Sequence, residues 1–246
     1  MMAIVAARAI RNGDIVFCGT GLPIVAAMAA KHISAPDSII LFQTGAVDPQ
    51  LEDIPMFVAD SRAMYHSCVN TGLVDVLGSL QNRKIGPRVV SILGGAQIDC
   101  YGNLNSTCIG SYRKPETRLA GSGGAADAAG LSGRGIIFMP LESRRFVERL
   151  DYLTSPGWLG GAHERKEKGL RNGGPDLVVT NAGTLRFDQE TRRMHLDSYY
   201  PWETPESIAK KTGFRLDTSR SRPAQSPTSR ELNVLREKVD PQHLIV

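Results

Sequence analysis

Short, almost uninterrupted apolar runs recur along this chain: Asp14–Cys18 (DIVFC), Ser38–Phe42 (SIILF), Val89–Leu93 (VVSIL), Gly135–Met139 (GIIFM) and Leu177–Thr180 (LVVT). A strand with one face in water alternates apolar and polar residues. Runs without alternation are buried on both faces, as in parallel sheets covered by helices. Helical patterns lie between the runs. Met2–Ile10 stops at Asn12-Gly13, a C-terminal signal, and the Ala-rich Ile24–His32 follows Gly19-Thr20-Gly21-Leu22-Pro23, with proline near its first turn. Val74–Leu80 can pack as a short helix, and Thr204-Pro205-Glu206 opens another that closes at Gly213. Thr184–Asp188 and Arg193–Leu196 read as a hairpin. Residues 217–229, rich in Ser, Arg and Pro, read as an exposed connector, and the capping box Thr228-x-x-Glu231 starts a final helix over 230–239. The pattern predicts an α/β fold: one domain over residues 1–246, with an open, mostly parallel sheet and helices on both faces. Such sheets bind ligands beyond the carboxyl ends of their strands, where Gly19, Gln43 and Gly94 all fall.

Composition excludes several classes of function. With 41% hydrophobic and 22% charged residues, the chain matches an ordinary soluble protein. Its formal net charge of +4 comes from scattered basic residues with few aromatics, which argues against a nucleic-acid face. No apolar run approaches membrane-spanning length, and the N-terminal residues lack a secretory pattern. Cys18, Cys68, Cys100 and Cys108 have neither C-x-x-C spacing nor paired histidines, so the expectation is reduced thiols, a cytoplasmic location and no metal.

The densest functional signal is residues 89–110, VVSILGGAQIDCYGNLNSTCIG. A buried run delivers a glycine pair, Gly94-Gly95, followed by Gln97, Asp99, Asn103, Asn105, Ser106 and Thr107. Bare amides at a strand end can hold an oxyanion or a phosphate. A tight turn leading into a hairpin at Tyr101-Gly102-Asn103 explains the same residues equally well. Further on, Gly121-Ser122-Gly123-Gly124 precedes the small-residue stretch Ala125-Ala126-Asp127. Such a loop can lay amides against a phosphate or a pantetheine amide, or can simply connect two elements. The G-x-G-x-x-G dinucleotide pattern and the G-x-S-x-G elbow are both absent, so Ser106, Asp99 and His66 do not make a triad.

Taken in order, GTGLP, APDSIILFQTGAVD, GGAQIDCYGNLNST, GSGGAAD, DYLTSPGW and YYPWETPESIAKKTGF resemble the glutaconate CoA-transferase β-subunit group of the family I CoA-transferases. The resemblance runs from about Ile4 to Pro241. It implies a CoA-transferase fold of the NagB/RpiA-like kind, a separate α subunit, and an active site where the two subunits meet. It also implies an acyl-CoA substrate, with coenzyme A entering as part of the substrate and no permanently bound cofactor. In this family a glutamate at the end of the second strand attacks the thioester, and amides of the GGAQID turn help hold the oxyanion. The oxyanion donors map onto Gly94 and Gly95. Gly121, Ser122, Gly123, Gly124, Gln97 and Asn103 become the candidate coenzyme-contacting residues. His66, in a loop after Asp60-x-Arg62, is a further catalytic candidate.

The chain departs from the family at the nucleophile, where Gln43-Thr44-Gly45 stands. A carboxylate adds reversibly to a thioester; a carboxamide cannot, because its nitrogen lone pair is delocalised, and it can only donate and accept hydrogen bonds. Asp48, Glu52 and Asp53 lie five or more residues downstream, too far to replace it without rebuilding the loop. Members of the family without the glutamate include ring-opening acyl-CoA hydrolases and a decarboxylase. The resemblance therefore implies a hydrolase or decarboxylase of a carboxylated or 3-oxo acyl-CoA. The alternatives are a true CoA-transferase, or a non-catalytic CoA-binding partner subunit.

Overall fold

The structure, a computed structural model, describes residues 1–170 and 173–246. The chain divides into two compact units, Met1–Leu93 with Ser226–Val246, and Gly94–Gln225.

The first unit contains α1 (Met2–Ala9), β1 (Ile15–Cys18), α2 (Leu22–Ile33), β2 (Ile39–Leu41), β3 (Ala46–Val47), β4 (Val69–Asn70), α3 (Leu73–Ser79) and β5 (Val89–Leu93). Its strands run in the order β5-β1-β2-β3-β4, with β1 parallel to both β5 and β2, and the outer β3 and β4 antiparallel. The apolar runs form the parallel part, and all four residues of β1 are buried. Seven consecutive residues of α2, Ile24 to Ala30, are buried, and four of them are alanines. Small side chains let α1 come close along its own buried Ala3, Ile4, Ala6 and Ala7. The C-terminal segment returns to this unit as a short helix, Ser229–Asn233, that continues as a π-turn over Val234–Val239 and packs on α2. Arg8 of α1 holds it by a two-pronged ion pair to Glu231, with 2.7 Å on each prong.

The second unit contains β6 (Gln97–Ile98), β7 (Leu104–Asn105), β8 (Cys108–Ser111), β9 (Lys114–Arg118), α4 (Ala125–Leu131), β10 (Arg134–Phe138), α5 (Glu164–Glu167), β11 (Pro175–Val179), β12 (Gly183–Phe187), β13 (Met194–Tyr199), α6 (Pro205–Ala209) and β14 (Arg222–Pro223). β10 and β11 are parallel, β11-β12-β13 is an antiparallel meander, and β14 adds in parallel at the edge. Two hairpins, β6-β7 and β8-β9, stand apart as separate two-stranded sheets. The architecture is the expected open, mostly parallel α/β sheet: the apolar runs β1, β2, β5, β10 and β11 pair in parallel, and antiparallel pairing enters at β3 and β4 and in the β11-β12-β13 meander. The expected connector at 217–229 needs correcting: Ser198 and Tyr199 pair with Arg222 and Pro223, so part of it is an edge strand. The final helix is α-helical only to Asn233 before it widens.

Candidate active site

The Gln43 turn is built from very few bonds. β2 and β3 share a single ladder pair, Leu41↔Val47. The turn closes through Phe42 N–H to Ala46 O (3.0 Å) and Gly45 N–H to Phe42 O (3.1 Å). Gln43 sits half-buried at its start, directly after the second strand. Gly45 has φ +115°, and a Cβ there would fall 1.8 Å from the Thr71 carbonyl oxygen, so the turn requires glycine for two reasons. Thr71 N–H bonds back to Gly45 O at 3.0 Å. The neighbouring Thr44 hydroxyl is buried without a hydrogen-bond partner, which costs about 1–3 kcal/mol.

His66 lies in the same unit, two residues beyond the 3₁₀ turn Ser61–Met64. It is exposed, takes φ +46°, and stands edge-on to Tyr65 with ring centroids 4.2 Å apart. Of the downstream carboxylates, Asp48 is ion-paired to Lys31, and Asp53 accepts a bond from Gln242 at 3.0 Å. Glu52 lines a cavity of about 330 Å³ together with Met28, Lys31, His32, Ile40 and Asp48. Burial, and then the nearby Lys238 and Lys31, hold His32 below the usual histidine range.

Gly94 and Gly95 both have ordinary negative backbone geometry, outside the left-handed region. The pair is therefore not a turn that demands positive φ; glycine is there for room. A Cβ at Gly94 would lie 3.1 Å from Phe138 O, and one at Gly95 would lie 3.0 Å from Asn105 O and 3.4 Å from Gln97 O. The Gly95 carbonyl faces the Arg145 guanidinium at 3.4 Å. Arg145 and Arg144 also pair with Glu142, pulling its carboxyl below the usual range.

Beyond the glycine pair, the polar side chains form a closed scaffold. Gln97 Oε1 accepts from Asn105 Nδ2 (2.8 Å) and Asp151 N–H (3.0 Å), and its Nε2 donates to Asp151 Oδ2 (3.0 Å). Asn103 donates to Asp99 and the Leu159 carbonyl and accepts from the amides of Gly157 and Leu159, which is its full complement of four bonds. Both residues are over nine-tenths buried. Expected to touch coenzyme, Asn103 has no capacity left for a ligand and instead latches the 157–159 loop. Burial raises the Asp99 carboxyl, although bonds from Asn103 and Tyr101 oppose this. The partners Asp151, Gly157 and Leu159 lie more than 50 residues away from Gln97 and Asn103, so no local pattern announces them.

The glycine-rich loop is tied to the same hairpin. Gly121 N–H donates to Ser106 O, and the Ser106 hydroxyl donates to Gly121 O, each at 2.8 Å. Gly121 (φ +88°) and Gly123 (φ +50°) are left-handed, and a Cβ at Gly121 would meet nothing, so that backbone is open. Ser122 turns inward and accepts from the Ala126 amide at 3.1 Å, while Gly124 caps α4. The second unit thus brings Gly95, Gln97, Asn105, Ser106 and Gly121 together. Gln43 and His66 belong to the first unit.

The four cysteines are free, and burial pushes the Cys18 thiol up to about 12 and raises that of Cys100. Among the described residues no group of three His, Cys, Asp or Glu is placed to hold a metal, and no helix is long and apolar enough to cross a membrane.

A mostly parallel α/β sheet with glycine turns at its strand ends is the fold these features define, and the chain belongs to the coenzyme A transferase family, whose model matches residues 1–211. It is 43% identical to the B-type subunit of glutaconate CoA-transferase from Acidaminococcus fermentans, over 98% of this chain and 91% of that one. It is 33% identical to the B-type subunit of 3-oxoadipate CoA-transferase from Pseudomonas knackmussii, over 96% of this chain and 90% of that one. The crystal structure of the Acidaminococcus glutaconate coenzyme A-transferase superposes with a TM-score of 0.95 at 41% identity, covering 100% of this chain and 95% of the other. The decarboxylase AibA/AibB shares the fold, with a TM-score of 0.83 at 22% identity over 99% of this chain and 94% of that one.

Proposed function

We propose that this chain is the β-type subunit of a two-subunit enzyme acting on acyl-CoA thioesters, and that it promotes attack of water or loss of carbon dioxide rather than transfer of CoA. The observation that carries the reading is Gln43 in the turn after β2, where the family resemblance places the nucleophilic glutamate. A carboxamide cannot form the acyl anhydride through which CoA is transferred, but it can orient a thioester carbonyl or a water by hydrogen bonding. Gly94 and Gly95 supply the oxyanion amides. The loop Gly121–Gly124, open at Gly121 and exposed at Gly123, takes the coenzyme portion, with the Ser122 hydroxyl engaged by the Ala126 amide and Gln97 bracing the hairpin from behind. His66 serves as an accessible proton carrier. A carboxylated or 3-oxo acyl group suits this chemistry, because each offers a bond to carbon whose cleavage leaves a stabilised carbanion.

Assembly with an α-type partner is supported by the stretch 56–74, where Met56, Phe57, Met64, Tyr65, Val69, Leu73 and Val74 are all exposed, Val74 to 80%. Monomers rarely leave so many large apolar side chains together in water. A monodisperse, fully active single chain would contradict this part of the reading.

Transfer of CoA between carboxylic acids is the second reading, favoured by the two CoA-transferase relatives at 43% and 33% identity. The enzyme assembled with its α-type partner and given a panel of acyl-CoA thioesters separates the two. Turnover without an added carboxylic acid supports hydrolysis or decarboxylation; turnover strictly dependent on one supports transfer. Gln43→Glu adds a second line. It should accumulate a protein-bound thioester, trapped by borohydride and mapped to position 43, whereas the unsubstituted protein should give none. An adduct at Asp48, Glu52 or Asp53 in the unsubstituted protein would reinstate the transferase.

A further inference from the structure

A hairpin with one ladder pair needs bracing from elsewhere: β4 and Thr71 hold its β3 side, and Asp48 braces its open end. After Val47 the chain leaves the strand, with Asp48 at φ +48°. Its amide still donates to Ile40 O at 2.7 Å. At positive φ its own carbonyl no longer faces the Ile40 amide, and the carboxylate takes over, accepting from Ile40 N–H at 3.2 Å. Aspartate is among the few residues that enter the left-handed region readily and can cap the strand with the same side chain. Lys31, near the end of α2, then binds Asp48 Oδ1 (2.5 Å) and the Ser38 carbonyl (2.6 Å), tying both ends of the hairpin to the helix.

We propose that Asp48 and Lys31 are positioning residues for Gln43: together they fix the base of the turn and so set where the carboxamide points. The role rests on the reading of Gln43 given above. It also gives the nearest downstream carboxylate a role other than nucleophile, because its amide bonds Ile40 O and its Oδ1 is shared between the Ile40 amide and Lys31. Asp48 and Lys31 line the cavity of about 330 Å³, so shortening either side chain opens onto space water can fill rather than leaving a void in the core.

The test uses the assembled enzyme and two measurements. In Asp48→Ala, amide hydrogen exchange at Phe42, Gly45 and residue 48 should speed up at least tenfold, with the helices of the unit unchanged. In the same variant, kcat should fall about tenfold while KM for the acyl-CoA stays within about twofold, the signature of a misplaced catalytic group. Asp48→Asn keeps an acceptor and tolerates the positive φ, and should recover most of both losses. Lys31→Met should fall between them and serves if Asp48→Ala fails to fold. Unchanged exchange in Asp48→Ala would overturn the brace whatever Gln43 does. Faster exchange with normal kcat, in an enzyme that Gln43→Ala slows, would overturn positioning and leave Gln43 standing. Normal kcat in both Gln43→Ala and Asp48→Ala would remove the Gln43 reading and this one with it.

Discussion

The Gln43 turn and the Gly95 hairpin are held in opposite ways. The Gln43 turn hangs on one ladder pair to β2, two turn bonds, the short edge strand β4 with Thr71, and a charged brace partly open to water. The Gly95 hairpin is cross-linked by buried amides, Gln97 to Asn105 and Asp151 and Asn103 to Asp99 and the 157–159 loop, and by the half-buried Ser106 hydroxyl to Gly121. Buried networks in which every member is satisfied are rigid and intolerant of loss. A sparsely bonded turn accepts new side chains with little disturbance elsewhere. On the proposed reading, the rigid hairpin is the part that would hold a developing charge and the Gln43 turn the part that carries the variable chemical group.

The sharpest way to break this contrast is Gly95→Val. With Asn105 O only 3.0 Å from a Cβ, the backbone must give way and the amide turns from its target. Losing one oxyanion donor costs about 3 kcal/mol of transition-state stabilisation, so kcat should fall by about 10² or more while size-exclusion chromatography shows the complex intact. Near-normal kcat would move the oxyanion site elsewhere. Asn103→Ala comes next, because it strands the amides of Gly157 and Leu159. Urea titration should show a loss of about 3 kcal/mol in stability, with KM for acyl-CoA little changed in the folded fraction. A large KM change without loss of stability would restore Asn103 as a coenzyme ligand.

Gln43→Ala should destabilise the fold less than Asn103→Ala does and slow turnover by about 10²-fold or less, the loss of one positioned contact. A large loss of stability would show that the turn is not the tolerant member of the pair. The smallest effect concerns acid. Arg8 and the bonds from Thr228 hold the Glu231 carboxyl down at about 2 in the folded chain, against about 4.5 unfolded. A depressed folded value means the stabilisation is complete above about pH 4.5 and is lost as pH falls towards 2. Roughly 2 kcal/mol should disappear across that window, and Glu231→Gln should flatten the curve by lowering its upper plateau.

What the sequence disclosed follows the same division. β1, β2, β5, β10 and β11 were legible because burial on both faces writes an unbroken apolar run. β3, β4 and β14 are two residues each, and the last two are exposed, so only their ladder partners define them. The β8-β9 hairpin was missed for the same reason: its second strand, KPETR, is four-fifths exposed by residue. Of the candidate residues, the Gly94-Gly95 pair and the Gln43 turn showed plainly as backbone features, since glycine and strand ends mark them. Their supports did not. Asp151 and Thr154 reach the hairpin across about 50 residues, and Asp48 reads as a surface carboxylate until its positive φ is known.

Gly45 has one more consequence. The oxygen of Thr71 occupies the place where any side chain at 45 would begin, and the backbone there is left-handed. No ordinary residue fits, so in a saturation library across 43–45 the third position should return glycine while the first remains open to sampling. The turn then behaves as a socket with a fixed rim and a removable contact. Whether position 43 carries an acid, an amide or something smaller then becomes a one-codon change within a frame that Gly45 holds constant.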